Sequence, residues 1–446
     1  MKRCIIQLKF NVKPTRKRIH WEREEESVKV KKIAGVFLGA VIIGTLAGCG
    51  GQQEDDSRTT IEFFLGKREC INTFESLIEK FEKENPDIHV EMSAPSDPIS
   101  ILKTRLIKND EPDMVAVLGD SSYTSFVDSD MFLDLTGEEI LDKVKPVYME
   151  MADQLESIPK EGVYTVPFAG NANVVLYNKD IFEENNLQTP KTWSEYIDLC
   201  EVLQEKGVLP CVFGFKDAWN VSAPWGAIVA NTVDSDLYSK VNKGEAALSE
   251  AYDGCADQMA ELASYGQEDL FGYGYNDACV SFANGEAAMF HQGNWALPVI
   301  LQTNPDANIG MFVLPVTDKE EDNHMTTQID LMFSLFETTD HKEECMQFME
   351  FLLEEENMQQ YMDEQTAVPA IEGNFTYARE LEEVKHYFDE EDLVMSAQSV
   401  YNAAIPYAEM VQTYLIDGDK EDFLARMDKE WVKANKNIIR KMKEEN

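Results

Sequence analysis

The chain carries aromatic, carboxylate, amide and basic side chains at positions where strands end or where the backbone can turn. These candidates are Lys67, Arg68, Asp120, Asn171, Asp217, Trp219 and Trp295. An aromatic ring offers an apolar face, whereas carboxylates and amides accept or donate hydrogen bonds in a plane. Together such groups suit a ligand that has apolar CH faces and a rim of hydroxyl groups.

Several of these residues follow predicted strands. Asp120 comes one glycine after the apolar stretch Met114–Leu118, and Asp217 and Trp219 follow the strand that ends at Phe215. Ligands of α/β proteins bind beyond the carboxyl ends of the strands. We therefore expect these side chains to face a cleft.

Most of these candidates also have a purely structural alternative. Asp120 precedes two serines and would suit a helix N-cap, and Asn171 follows a glycine and would suit a turn. The two basic residues would suit a solvated loop. Buried tryptophans belong more often to a core than to a ligand site. We favour Trp219 as a ligand contact and Trp225 as a core residue.

No catalytic motif accompanies these residues. The chain lacks Gly-x-Ser-x-Gly, His-Glu-x-x-His and a phosphate-binding loop. A secreted glycosidase would need two carboxylates flanking a cleft, and with 82 acidic residues such a pair is expected by chance. We therefore predict a binding protein without metal or cofactor, and a glycosidase stays the alternative from another class.

The elements that must position the candidates alternate between strand and helix. Predicted strands lie at Thr59–Leu65, Ile88–Met92 and Met114–Leu118, with helical periodicity between them. The pattern restarts near Val174, and Thr192 opens a helix with a Thr-x-x-Glu capping box. Such alternation predicts βαβ units with mainly parallel sheets. Two α/β units facing each other would leave a ligand cleft between them.

Length and charge limit the function further. A chain of 446 residues is too long for one core and suits two domains. Its net charge of −42 disfavours nucleic acid and anionic membrane surfaces as partners.

The N-terminal region is typical of a secretory signal. Lysines at 29, 31 and 32 precede the uncharged run 33–47, and Cys49 follows directly after Gly48. This order resembles a bacterial lipobox, which implies cleavage before Cys49 and lipidation of its thiol. An uncleaved membrane anchor is the alternative. We expect 1–48 to be the signal segment, with translation starting at Val28, and 49–58 to be a flexible tether.

The other cysteines show no metal-binding spacing, because none forms a Cys-x-x-Cys pair. Their apolar neighbours predict small buried residues rather than disulfides. If any two pair, Cys200 and Cys211 are the first to test.

Several short motifs occur in an order that resembles the extracellular solute-binding proteins of carbohydrate ABC importers. They are Asn85-Pro86-Asp87-Ile88, Pro112-Asp113-Met114-Val115, Tyr177-Asn178-Lys179-Asp180, Pro190-Lys191-Thr192-Trp193, Asn284-Gly285-Glu286-Ala287-Ala288-Met289, Gly293-Asn294-Trp295 and Ala367-Val368-Pro369. The resemblance spans essentially the whole chain from Thr59.

This resemblance implies a two-lobed, periplasmic-binding-protein-like α/β fold of type II, with the ligand cleft between lobes that three crossings connect. We expect lobe 1 to comprise 59–169 and 330–367, and lobe 2 to comprise 172–326 and 370–446. The family closes its lobes around the ligand like a hinge and presents the closed form to a membrane permease.

The resemblance also implies roles for individual residues. Asn171 matches a position that faces the cleft, Asp217 and Trp219 match a carboxylate and a stacking aromatic, and Trp295 matches the main stacking tryptophan. We expect the Trp295 ring N–H to be free for a hydroxyl group of the ligand. The implied protein is a monomer, lipid-anchored at the extracellular face of the membrane. A binding protein of the same fold for a polyamine, a metal or a peptide is the alternative.

Overall fold

The structure, a computed structural model, describes residues 58–158 and 160–444. The strands are β1 (Thr59–Leu65), β2 (Ile88–Ser93), β3 (Met114–Val117), β4 (Val166–Gly170), β5 (Asn173–Asn178), β6 (Leu209–Val212), β7 (Ala287–Gly293), β8 (Ile309–Phe312), β9 (Met325–Thr327), β10 (Ile329–Leu335), β11 (Val368–Pro369) and β12 (Leu393–Met395). The α-helices are α1 (Ile71–Glu84), α2 (Pro98–Leu106), α3 (Ser121–Val127), α4 (Pro146–Gln154), α5 (Lys179–Asn185), α6 (Trp193–Glu205), α7 (Ser222–Thr232), α8 (Leu237–Lys243), α9 (Leu248–Ala251), α10 (Asp253–Ala263), α11 (Tyr275–Ala283), α12 (Leu297–Thr303), α13 (Lys342–Leu352), α14 (Glu355–Gln365), α15 (Lys385–Asp389), α16 (Tyr407–Asp417), α17 (Lys420–Ala434) and α18 (Lys436–Glu444). The predicted signal segment and Cys49 lie outside the described residues.

The strands form two sheets. Sheet 1 has the order β11-β4-β10-β3-β1-β2, and sheet 2 has the order β12-β9-β5-β7-β6 with β8 beside β5. We call sheet 1 with its helices lobe 1, and sheet 2 with its helices lobe 2. The predicted α/β class is confirmed.

The expectation of mainly parallel sheets was wrong. Strands β2 and β3 run parallel to β1, β6 runs parallel to β7, and β12 runs parallel to β9. The remaining pairs, which involve β4, β5 and β10, are antiparallel. The reason lies in the crossings: a strand that leaves a lobe through the hinge runs opposite to one that enters it.

Local signals located the elements well. The strands predicted at Thr59–Leu65, Ile88–Met92 and Met114–Leu118 correspond to β1, β2 and β3 within one residue. At the start of α6, the Thr192 hydroxyl accepts a hydrogen bond from the Glu195 N–H at 3.3 Å, as its capping box predicted.

Two crossings between the sheets run side by side. The first connects β4 to β5 through Asn171 and Ala172, and the second connects β9 to β10 through Gln328. The Asn171 N–H donates to the Gln328 carbonyl at 3.2 Å, and the Gln328 N–H donates to Asn171 Oδ1 at 3.1 Å. These paired bonds make the two crossings one hinge.

The third crossing is longer than the other two. Strand β11 pairs with β4 in sheet 1, and the chain next joins a sheet at β12, which pairs with β9. Between them, the Lys145 N–H donates to the Ala370 carbonyl and the Val147 N–H donates to Glu391 Oε2. The pairing of β11 with β4 places Val368–Pro369 with sheet 1. The predicted lobe boundaries stay a prediction.

Two buried clusters form the core. One covers sheet 1 and continues through hinge-proximal residues into one face of sheet 2, and the other lies within lobe 2. The described cysteines are free and buried, as predicted: Cys70, Cys200, Cys211, Cys255, Cys279 and Cys345. Among the described residues, no helix is both long and apolar enough to cross a membrane.

Candidate functional site

Trp295 stands just beyond the end of β7, close to the first crossing. Its ring is half-buried and lies so close to Gly293 that a Cβ there would be 2.0 Å from Trp295 Cζ3. Glycine is therefore required at 293 by this close approach. The Trp295 Nε1–H donates to Gln292 Oε1 at 3.0 Å, so the expectation of a free ring N–H was wrong. The indole is held by a neighbour and keeps its partly exposed face.

A chain of polar contacts connects Trp295 to the second predicted group. Gln292 Nε2 donates to Asn220 Oδ1 at 2.7 Å, and Asn220 Nδ2 donates to the Asp217 carbonyl at 3.0 Å. The Tyr275 N–H donates to Asp217 Oδ2 at 2.8 Å, and the Tyr275 hydroxyl donates to the Trp295 carbonyl at 3.3 Å. Asp217 and Trp295 thus belong to one cluster.

The aromatic part of this cluster is open to solvent. Trp219 is 48% exposed, and its ring centroid lies 5.0 Å from that of Tyr275 with an interplanar angle of 50°. Trp225, by contrast, is fully buried and donates from Nε1 to the Tyr401 hydroxyl at 3.3 Å. The prediction that Trp225 is a core residue is confirmed. An exposed aromatic face beside fixed amides and a carboxylate can stack on an apolar ligand face and bond its polar rim.

Lobe 1 carries a charged pair close to the hinge. Lys67 follows β1, and its ammonium group forms a salt bridge with the Asp330 carboxylate on β10. Burial lowers the pKa of Lys67, but the charge of Asp330 and its neighbours outweighs this and raises the pKa above its usual value. Arg68, in the short 3-10 helix that follows, is exposed.

Asp120 serves as a helix N-cap, which was the structural alternative to ligand contact. It is the N-cap of α3, and its Oδ1 accepts a hydrogen bond from the Ser122 N–H at 2.7 Å. Burial raises the pKa of Asp120 above its usual value, and the bond from Ser122 opposes that shift. Capping occupies one carboxylate oxygen, so ligand contact by Asp120 stays a prediction.

The hinge brings these separate groups next to one another. The Gly119 N–H, next to Asp120, donates to the Ile329 carbonyl at 2.8 Å, and Ile329 lies between Gln328 and Asp330. On the other side, the Ala172 N–H donates to Asn294 Oδ1 at 2.8 Å. Asn171 therefore lies between the lobe 1 group and the Trp295 cluster, and its side chain supports the hinge.

Sequence reasoning missed four members of this arrangement: Asn220, Tyr275, Gln292 and Asp330. Two of them had a usable signal, because Gln292 and Asp330 are polar residues inside mainly apolar strands. The other two were missed because Asn220 lies 72 positions from Gln292 and Tyr275 lies 58 positions from Asp217. Among the described residues, no group of three or more His, Cys, Asp or Glu side chains is placed to hold a metal ion.

Comparisons with known proteins agree with this architecture. Residues 68–359 match the family described as bacterial extracellular solute-binding protein. The chain is 30% identical to the multiple sugar-binding protein of Streptococcus mutans, over 77% of this chain and 83% of that protein.

Solved structures are similar over most of the chain. The apo form of RafE from Streptococcus pneumoniae is 27% identical, with 84% of this chain and 97% of RafE covered and a TM-score of 0.74. RafE in complex with raffinose is 28% identical, with 84% and 98% covered and a TM-score of 0.70. The predicted two-lobed fold is thereby confirmed. This chain belongs to the family of bacterial extracellular solute-binding proteins.

Proposed function

We propose that this chain captures a sugar, most simply an oligosaccharide, and delivers it to the permease of an ABC importer. The names of the relatives support this ligand class, since one is a multiple sugar-binding protein and another is a protein solved with raffinose. The matched family supports an extracellular position.

One observation carries the proposal. A continuous path of contacts runs from Lys67 and Asp330, through the hinge at Asn171, to Trp295 and on to Asp217. The path consists of hydrogen bonds, one salt bridge and adjacent residues in the chain. It lies where the carboxyl ends of β1 and β7 meet the first crossing. A sugar placed along it would meet aromatic surfaces and in-plane polar groups together.

In this mechanism lobe 2 supplies the first binding surface. Trp295 and Trp219 stack on the apolar faces of the sugar rings, while Asp217 bonds hydroxyl groups through the oxygen that does not accept from Tyr275. Rotation at the hinge then brings Lys67, Arg68 and the Asp120 loop of lobe 1 onto the opposite side. The ligand favours closure because only the closed form offers both sets of contacts.

The protein would act without altering its ligand. Capture requires differential affinity for the open and closed forms, and it needs no nucleophile or general acid. We also propose that the chain is a monomer and that lipid on Cys49 holds it at the outer face of the cytoplasmic membrane. A soluble domain on a short tether would then stay within reach of its permease.

The test is a thermal-shift and calorimetric screen of the mature chain. The probes are raffinose and a series of mono- and oligosaccharides, with spermidine and a peptide mixture as controls. A ligand at about 100 times its dissociation constant should stabilise the fold by roughly 2.7 kcal/mol. The sugar should be recovered unchanged after incubation. Stabilisation by the controls alone, or turnover above a protein-free sample, would contradict the proposal.

A further inference from the structure

A separate cavity of about 530 Å³ lies between the lobes, away from the path described above. Its lobe 1 wall comes from α4 and the residues after it. Its lobe 2 wall comes from α7, α8, β12, the end of α17 with Asn435 after it, and Met442 of α18. None of the seven candidate residues lines it. Its volume falls within the range of small-molecule sites.

The polar lining of this cavity is acidic. Glu150, Asp153, Glu156 and Asp234 line it, and no lysine, arginine or histidine is among the lining residues. Burial raises the pKa of Asp153, and the charge of Glu150 adds to that rise. Burial also raises the pKa of Glu156. Asp153 and Glu156 thus carry a desolvation cost. The charge of Lys160, outside the lining, offsets part of that cost at Glu156, and a bound cation would relieve the rest.

Aromatic and aliphatic groups form the rest of the wall. The rings of Tyr238 and Trp431 both line the cavity and stack with their centroids 5.2 Å apart. Aromatic faces attract ammonium groups, and indole does so most strongly. The aliphatic part comes from both lobes and includes Val147, Met151 and Val233. An apolar chain attached to the cation would therefore find a matching surface.

Two buried polar side chains in the lining each carry one atom that has no hydrogen-bond partner among the described residues. Ser396 is 2% exposed and Asn435 is 5% exposed, and the unpartnered atoms are Ser396 Oγ and Asn435 Nδ2. A buried polar atom without a partner is costly, so native proteins nearly always satisfy it. The serine oxygen can accept from an ammonium group, whereas the amide nitrogen requires an oxygen acceptor.

We propose that this cavity binds an organic cation: a protonated primary amine whose apolar chain carries a hydroxyl group. The ammonium group contacts Asp153 of α4 and Glu156 just after it, and donates to Ser396 Oγ. The chain lies along the aliphatic wall and the two rings, and the hydroxyl oxygen accepts from Asn435 Nδ2. This site is distinct from the proposed sugar site and does not depend on it.

The experiment is calorimetric titration of the mature chain with two matched probes. These are 6-amino-1-hexanol, which has all three features, and 1,6-hexanediol, which differs only in replacing the ammonium group by a hydroxyl. The amine should bind with one-to-one stoichiometry and the diol at least tenfold more weakly, since a charge-assisted contact is lost.

Variants locate the bound probe. The double variant Asp153→Asn with Glu156→Gln should weaken amine binding at least tenfold. The charge-matched control Glu183→Gln with Glu184→Gln, on exposed positions of α5, should bind as the parent does. Trp295→Ala should also leave amine binding unchanged.

Four results would overturn the proposal. They are no binding at millimolar amine, equal binding of amine and diol, an unchanged affinity in the Asp153 and Glu156 variant, and a loss of amine binding in Trp295→Ala.

Discussion

Replacing Trp295 by alanine separates a ligand contact from a core residue. The indole is half-buried, rests against Gly293 and donates one hydrogen bond to Gln292. These contacts hold the ring in place without enclosing it. The substitution should therefore damage binding more than folding.

The expected magnitudes follow from those contacts. Complete burial of a large aromatic side chain is worth about 3–5 kcal/mol on truncation to alanine. A half-buried ring with one hydrogen bond should cost less, about 1–3 kcal/mol of unfolding free energy in the ligand-free protein. As an aromatic anchor, the same residue should contribute about 2 kcal/mol or more to binding. That loss corresponds to an affinity reduced about thirtyfold.

The assay measures both quantities in the same variants. Urea unfolding of the ligand-free protein gives the stability, and calorimetry gives the affinity for the best sugar of the screen. Trp225→Phe is the control, because Trp225 is fully buried and its indole bonds Tyr401. It should lower stability by about 2 kcal/mol and leave affinity intact. Strong destabilisation with unchanged affinity in Trp295→Ala would refute its assignment as a ligand contact.

Three further outcomes are expected. Cys49→Ser should release the protein from membranes or leave it unprocessed, and unchanged detergent partitioning and size would contradict the lipid anchor. Asp330→Asn should lower the unfolding free energy by about 1–3 kcal/mol, between the values for exposed and buried pairs, because the ammonium of Lys67 loses its partner. Adding Lys67→Met should recover part of that loss in urea unfolding, and no recovery would contradict the pairing. Burial lowers the pKa of His291 to about 3 in the folded protein. In the unfolded chain the imidazole has its ordinary pKa of about 6.5, so the unfolded chain binds a proton at a higher pH than the folded chain does. Stability therefore falls as the pH drops below about 6.5. Between pH 7 and 5 this contributes a loss of about 2 kcal/mol, which His291→Gln should remove; an equal decline in that variant would contradict the assignment.

The fold was largely predictable from local patterns. Periodicity and capping are properties of neighbouring residues, so β1, β2, β3 and the start of α6 could be placed from the sequence. Strand direction was not predictable in this way. It depends on where the chain crosses between lobes, and a crossing such as Asn171 to Ala172 has no periodicity of its own.

Individual candidate residues could be named from the sequence, but their arrangement could not. The resemblance pointed to Asp217 and Trp295, which the structure places in one cluster. The members that join them, Gln292 and Asn220, are 72 positions apart in the chain. The parallel pairing of β6 with β7 brings those segments together, and pairing partners are a property of the whole fold. The acceptor of the Trp295 N–H is local in sequence, but the Gln292 side chain that accepts is held by the distant Asn220.

That occupied N–H bears on how the site would work. Because Gln292 fixes the indole and Asn220 fixes Gln292, the lobe 2 surface is ordered before any ligand arrives. Ligand binding then pays little conformational entropy in lobe 2. More of the interaction energy is then left to favour closure of the two lobes. In the proposed function, the permease recognises the closed form. Gln292→Ala should therefore weaken sugar binding although Gln292 itself is buried. The effect should appear as a lower affinity with the Trp295 ring intact. An unchanged affinity would show that the indole holds its position without Gln292.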